Sequence, residues 1–119
     1  MLTFMNLTKA LSDENRVRIL LALSVKEELC VCHLNDLLGL APSTVSKHLF
    51  LLKNAGLITA RKDGRWIYYR LNNDREAPSL IGKALEWIAD AISDDPLIQA
   101  DRECLEKILS AAAQTACGR

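Results

Sequence analysis

The sequence lacks any long apolar run, has few aromatic side chains and carries no net charge. Charged residues interrupt each apolar stretch of the 119-residue chain well before the roughly 20 apolar residues that a membrane-spanning helix requires. The first residues also lack the basic segment followed by an apolar segment that marks a secretion signal. We therefore expect a soluble cytoplasmic protein with no membrane partner. Its length favours one domain over residues 1–119.

Histidine is scarce and glycine-rich phosphate loops are absent, whereas cysteine is present. The only histidines are His33 and His48, which is poor support for acid–base catalysis. Four cysteines in a chain without a secretion signal should be reduced thiols, used for metal binding, redox sensing or packing. A catalytic dithiol at Cys30 and Cys32 is disfavoured because no thioredoxin-like βαβ pattern surrounds the pair. The sequence therefore predicts a protein that is not an enzyme.

The zero net charge conceals an uneven distribution along the chain. Residues 43–73 carry six Lys/Arg and one Asp/Glu, whereas residues 1–42 carry four and five, and residues 74–119 carry five and nine. A basic central segment between neutral and acidic flanks is typical of a nucleic-acid surface. A solvated basic face is the alternative interpretation.

Apolar periodicity predicts a helix-turn-helix over about residues 31–55. A short first helix ends at Gly39, where a left-handed cap is favoured, and the second begins at Pro42 and stops before Gly56. The N-terminal part of such a second helix enters the DNA major groove, where hydroxyls and cations reach base edges and phosphates. For Ser43 and Thr44 the alternative is helix capping, and for His48 it is a position exposed to solvent or at the edge of the core. The candidate DNA contacts in this helix are Ser43, Thr44, Ser46, Lys47 and His48.

The segment of about residues 57–71 predicts a two-stranded hairpin with its turn at Asp63-Gly64, a strong hairpin signal. Arg61, Lys62 and Arg65 cluster at its tip. A cationic hairpin directly after a recognition helix is typical of a wing that grips the DNA backbone or the minor groove. A charged turn kept polar for solubility is the alternative.

Helices are predicted on both sides of this unit. Before it, Ser12 or Asp13 can cap a core helix, and after it two helices occupy about residues 76–113, broken before Pro96. The first of these two has an apolar arc wider than a small monomer needs, so we expect a homodimer that reads paired DNA half-sites. The predicted fold class is α+β and mainly helical, with five to six helices and a two-stranded wing.

Three sequence segments together resemble the ArsR/SmtB family of winged-helix metalloregulatory repressors, and its arsenite- and antimonite-sensing subgroup in particular. The resemblance covers roughly residues 5–92, and its most specific part is the first segment. The segments are ELCVCHL at 28–34, STVSKHLFLLKNAGLI at 43–58 and RKDGRWIYYRL at 61–71.

The resemblance implies a winged helix-turn-helix homodimer that binds double-stranded operator DNA through the candidates of the second helix and the hairpin tip. It further implies that As(III) or Sb(III) acts as inducer, binds Cys30 and Cys32, and releases the DNA. Zinc sensing is disfavoured by the missing histidines, and cadmium or lead sensing by the lack of any cysteine before Cys30.

Two departures leave the third metal ligand open. Where the best-known members have Asp and a third Cys, this sequence has His33 and Asn35. Cys104 or Cys117 could supply a third thiolate within or across subunits, or the ion could keep an oxygen ligand. Cys104 is better suited to packing as a small apolar residue, because it shares a helix face with Ala100 and Ile108, and His33 is expected to be a surface residue.

The spacing of the cysteine pair suggests how a ligand would act. Positions i and i+2 of a regular helix point to different faces, so binding both sulfurs to one ion should partly unwind or tilt the first turn. Two alternatives remain: a redox or persulfide sensor on the same fold, and a pair of inert structural thiols.

Overall fold

The structure, a computed structural model, describes residues 1–112, which contain six helices and three strands. The predicted α+β, mainly helical fold class is confirmed, with one strand more than expected. The elements are α1 Leu2–Ala10, α2 Glu14–Val25, β1 Leu29–Cys30, α3 Val31–Leu38, α4 Pro42–Asn54, β2 Ile58–Asp63, β3 Trp66–Leu71, α5 Ser79–Ile92 and α6 Pro96–Ala112.

Helix α2 is the central element of the core. Of the two predicted caps, Asp13 is the one used, and its carboxylate accepts hydrogen bonds from the backbone N–H groups of Asn15 (2.8 Å) and Arg16 (3.3 Å). The helix buries the continuous segment 19–23, which a helix does only when neighbours pack on several sides. Those neighbours are α4, α5, α6 and β3.

Helices α3 and α4 form the predicted helix-turn-helix. Gly39 follows α3 with a φ of 65°, the left-handed conformation that only glycine adopts without strain. Pro42 is the first residue of α4, where its missing N–H costs nothing. Leu34 of α3 and Leu49 of α4 are fully buried, so the core fixes the angle between the two helices.

The sheet has the order β1-β3-β2 and is antiparallel throughout. Asp63 pairs with Trp66, so the two turn residues are Gly64 and Arg65, one position later than predicted. Gly64 has a φ of 63°, and no non-glycine residue in the described range has a positive φ. Glycine alone at the first turn position is the pattern of a type II′ turn, whereas a turn at Asp63-Gly64 would have needed a positive φ at aspartate.

Helix α6 packs on α2 and α3. Asp101 of α6 forms a bidentate ion pair with Arg18 of α2, at 2.8 Å to Nε and 2.9 Å to Nη2. The side chains are 11% and 16% exposed, respectively. This pair anchors the C-terminal helix across the domain. None of the helices within residues 1–112 is long and apolar enough to cross a membrane.

Candidate functional site

Cys30 and Cys32 lie at the junction between the sheet and the helix-turn-helix. Cys30 ends β1 and is the N-cap of α3, with extended backbone angles (φ −70°, ψ 148°), and Cys32 is the second residue of the helix. Their Sγ atoms are 2.8 Å apart. The expectation that the sulfurs point to different faces is therefore wrong here, because Cys30 stands outside the helix. Cys30 is a free thiol, whereas Cys32 is disulfide-bonded in the structure. Once Cys32 is reduced, one ion can contact both sulfurs without unwinding α3.

His33 stabilises this junction through a reciprocal cap. Its Nδ1 accepts a hydrogen bond from the backbone N–H of Cys30 at 3.2 Å, while the Cys30 side chain faces the backbone N–H of His33, as the hydroxyl does in an ordinary capping box. Burial lowers the pKa of His33, and the nearby Asp36 carboxylate opposes that shift. The prediction that His33 is merely a surface residue is wrong, since it is half-buried and holds the Cys30 backbone.

No third ligand joins the cysteine pair within the described part of the chain. Among residues 1–112 no group of three or more His, Cys, Asp or Glu side chains is placed to hold a metal ion. Cys104 is instead partly buried against the hydrophobic core, one helical turn beyond Asp101. Cys117 lies outside the described residues.

Asn35 occupies the position where the resemblance led us to look for a third cysteine. Its Oδ1 is buried and has no hydrogen-bond partner within residues 1–112, a costly state for a carbonyl oxygen. Asn35 follows Cys32 by three residues on α3, so the two side chains are neighbours on the helix surface. One helical turn after Cys32 there is thus a buried amide oxygen that lacks a hydrogen-bond partner within the described residues.

Helix α4 presents a polar surface. Four of the five candidate DNA contacts are exposed, namely Ser43, Thr44, Ser46 and Lys47. His48 is half-buried, and its Nδ1 lies 3.1 Å from Nη1 of Arg16. Arg16 also donates from Nε to the backbone oxygen of Ala10 at 2.8 Å. His48 is therefore half-buried and held by Arg16 near the start of α2, whereas the other four side chains are exposed.

The three cationic candidates of the hairpin differ in their surroundings. Lys62 and Arg65 are exposed at the tip, with the Arg65 guanidinium 5.5 Å from the Trp66 ring centroid. Arg61 instead makes a two-pronged ion pair with Glu28, at 3.0 Å between Nε and Oε2. Its guanidinium also lies 4.9 Å from the ring centroid of Tyr68.

Sequence reasoning missed the residues that join the cysteines to the hairpin. Cys30 pairs with Tyr68, and Leu29 pairs with Tyr69, in the β1–β3 ladder. Glu28, immediately before β1, holds Arg61 on β2. A two-residue strand has no alternation to detect, and nothing in the sequence links Glu28 to a residue 33 positions away. The cysteine segment is thus part of the sheet that carries the hairpin.

Comparisons with known proteins identify the family. Residues 13–60 match the family model for bacterial regulatory proteins of the arsR family. The chain is 38% identical over 98 residues to the arsenic resistance transcriptional regulator ArsR2 of Pseudomonas putida, covering 76% of this chain and 84% of that protein. The chain belongs to the arsR family. The predicted resemblance is therefore confirmed at the family level.

Other members and solved structures extend the comparison. A homologue of the cadmium resistance regulatory protein CadC from Staphylococcus aureus is 45% identical over 76 residues, which cover 64% of this chain and 62% of that protein. ArsR1 of P. putida is 39% identical over 83 residues, 70% and 63% of the two chains. For these two relatives the match spans less than two thirds of their length.

Among solved structures, HlyU from Vibrio cholerae superimposes with a TM-score of 0.64 at 28% identity, covering 77% of this chain and 94% of that one. A structure titled reduced HlyU from the same organism gives a TM-score of 0.62 at 29% identity, with 76% and 88% covered. The arsR-family fold, with its helix-turn-helix and hairpin wing, is thereby confirmed.

Proposed function

We propose that this arsR-family chain is a cytoplasmic transcriptional repressor that releases operator DNA when As(III) or Sb(III) binds to Cys30 and Cys32. The observation that carries the proposal is the 2.8 Å separation of the two sulfurs at the start of the helix-turn-helix. The relatives named for arsenic resistance support the choice of ligand. Soft thiolates without histidine ligands also suit As(III) better than zinc.

The DNA side of the proposal rests on exposed polar and cationic groups. The polar surface of α4 enters the major groove, and Lys62 and Arg65 at the hairpin tip contact the flanking backbone. Exposed apolar side chains on α1 and α5, among them Trp87 at 66% exposure and Phe4 at 51%, support a homodimer that reads two half-sites.

The ligand chemistry follows from the two thiols and the neighbouring amide. In the reduced protein, the thiols of Cys30 and Cys32 replace two hydroxyl groups of arsenous acid, releasing two molecules of water and leaving one As–O bond, with no change in oxidation state. The unsatisfied Oδ1 of Asn35 is then suited to accept a hydrogen bond from the remaining hydroxyl. A third thiolate from Cys104 or Cys117, in the same or the other subunit, would replace that hydroxyl instead.

Binding at the cysteines reaches two DNA-contacting elements. Cys30 is the cap of α3, which packs on α4, and it is also paired with Tyr68 of the wing. Since the sulfurs already converge, the switch is a displacement of the β1–α3 junction, and α3 stays helical. A coupling free energy of about 1–3 kcal/mol, or roughly 5–150-fold in DNA affinity, is typical of such linkage.

The test is fluorescence anisotropy of the reduced protein on its own promoter DNA at one fixed salt concentration, because phosphate contacts make affinity depend on salt. Arsenite and antimonite should each release the DNA, whereas zinc and cadmium should not. Cys30→Ser and Cys32→Ser should bind DNA normally and fail to release it. Release by arsenite in both serine variants would contradict the ligand assignment.

The third ligand needs its own comparison. Cys104→Ser, Cys117→Ser and Asn35→Ala are compared for arsenite affinity. A two-thiolate site with an oxygen neighbour predicts that only Asn35→Ala weakens arsenite binding. A loss of affinity in either serine variant would instead assign the third thiolate.

A thiol redox or persulfide sensor on the same fold is the second candidate. It is favoured by the close approach of the two sulfurs and by the likeness to a structure titled reduced HlyU. Peroxide and polysulfide are therefore added to the same anisotropy experiment. DNA release by either of them, with no response to arsenite, would select this candidate.

A further inference from the structure

Helix α4 carries one large apolar side chain on its otherwise polar outer surface. Phe50 is 63% exposed, whereas Val45, Leu49 and Leu52 of the same helix are 1% exposed or less. The contacts of α4 with the core are therefore made without Phe50. Nothing in the packing of the domain requires an aromatic residue at this position.

Phe50 shares a stripe with two of the candidate DNA contacts. Ser43, Lys47 and Phe50 follow the spacing i, i+4 and i+7, which places them in one row along a helix. Ser43 and Lys47 are both exposed. Seven residues of helix extend about 10 Å, somewhat less than the roughly 12 Å width of the major groove. A helix that places Ser43 at the bases thus keeps Phe50 within the groove.

The chemistry of the groove offers a partner for an apolar ring there. Thymine is the base that presents a methyl group in the major groove, and apolar contact with that methyl is a direct means of reading it. We propose that Phe50 is a specificity-determining residue whose ring contacts the C5-methyl group of a thymine in each operator half-site. This inference rests on the proposed DNA binding.

The surroundings of Phe50 favour DNA over a protein partner. Its exposed neighbours on α4 include Lys47, Lys53 and Asn54, which suit an anionic partner. The other large apolar side chains with high exposure in the described range lie on α1, α2, β3 and α5 or at the N-terminus. A protein interface needs a larger apolar patch than one ring, whereas a thymine methyl matches one ring in size.

The experiment replaces single thymines of the promoter duplex with deoxyuridine, which removes the methyl group and leaves base pairing unchanged. For the wild-type protein, deoxyuridine at one position in each half-site should weaken binding about fourfold per half-site, the change expected for one buried methyl group. Phe50→Ala should bind more weakly and lose discrimination at that position alone. Phe50→Leu should retain part of it.

Two control variants separate this contact from other effects. Val25→Ala removes another exposed apolar side chain, on α2, and should leave affinity and the deoxyuridine pattern unchanged. Lys47→Ala should weaken binding to all duplexes and reduce the salt slope by about one, while the deoxyuridine effect persists. Circular dichroism and sedimentation check that each variant folds and keeps its oligomeric state.

The outcomes are distinct from those of the proposed function. If the wild-type protein binds the promoter but no thymine depends on Phe50, the inference is overturned and DNA binding stands. A change of oligomeric state in Phe50→Ala with an intact deoxyuridine pattern would overturn it in favour of a protein contact. If the wild-type protein does not bind its promoter at all, the proposed function itself fails.

Discussion

The ion pair between Arg18 and Asp101 should be a major stabilising contact between α2 and α6. Asp101→Ala leaves the guanidinium of Arg18 without its carboxylate, and within residues 1–112 one hydrogen bond remains, to Oδ1 of Asn15 at 3.0 Å. Breaking a buried pair in this way costs about 3–5 kcal/mol. Since the two side chains keep 16% and 11% exposure, solvent screening lowers the expected cost to about 2–3 kcal/mol. That corresponds to a fall in Tm of roughly 10 °C for a chain of this length.

The assay is urea unfolding followed by circular dichroism at one protomer concentration, because the stability of the proposed homodimer would depend on concentration. The matched control is Glu106→Ala on the same helix, which breaks the exposed pair with Lys26 at 3.2 Å and should cost at most about 1 kcal/mol. Replacing both partners, as in Arg18→Met with Asp101→Leu, should recover much of the loss. Equal costs for Asp101→Ala and Glu106→Ala would refute the reasoning.

Three further predictions concern the turn, the sheet and the wing. Gly39→Ala should destabilise the protein by about 1–2 kcal/mol, because the backbone of a non-glycine residue is strained at a φ of 65°, although an added Cβ meets no atom within 4 Å. Urea unfolding should show a smaller loss of stability for Gly39→Asn. Burial raises the pKa of Tyr69, so its contribution to stability is present below pH ~10 and is lost as the pH rises through the folded-state pKa; Tyr69→Phe should remove this alkaline loss in urea unfolding at pH 8–11. Glu28→Gln should free Arg61 for a DNA phosphate and steepen the salt dependence of DNA binding by about 0.9; Glu27→Gln, the neighbouring exposed carboxylate, should leave the slope unchanged, and equal slopes would contradict the prediction.

Local signals in the sequence predicted α2 to α6 and the two hairpin strands, whereas α1 and β1 were not located from the sequence. Asp13, Gly39 and Pro42 mark helix ends because each fits a specific backbone geometry that depends on adjacent residues alone. The hairpin was predicted by the same kind of signal, and its turn was displaced by one residue because Asp63-Gly64 and Gly64-Arg65 both contain the glycine. In this sequence, one or two residues determine the backbone geometry at the end of a helix or in the hairpin turn.

The site depends on contacts that no local signal encodes. The partner of Glu28 lies on β2, and strand β1 contains two residues whose pairing becomes visible only when β3 is in place. The helical rule for positions i and i+2 was correct for a helix but did not apply, because Cys30 is the cap and has extended backbone angles. His33 could have been suggested as the N3 partner of a cap, had Cys30 been recognised as the N-cap.

Cys30 belongs both to the sheet and to the helix-turn-helix, so two DNA-contacting elements share the loss of DNA affinity under the proposed function. Its backbone is a rung of the ladder with Tyr68 and the cap of α3, so under the proposed function a ligand that moves Cys30 acts on the wing and on the recognition helix together. Coupling free energies from the two elements add, so a tenfold loss of affinity through each gives about a hundredfold loss, near 2.7 kcal/mol. Neither element then has to be disrupted on its own. Glu28 adds to the effect, because it ties Arg61 of the wing to the same segment. A substitution in the wing should therefore reduce the release of DNA by arsenite while leaving the affinity of the protein for arsenite almost unchanged.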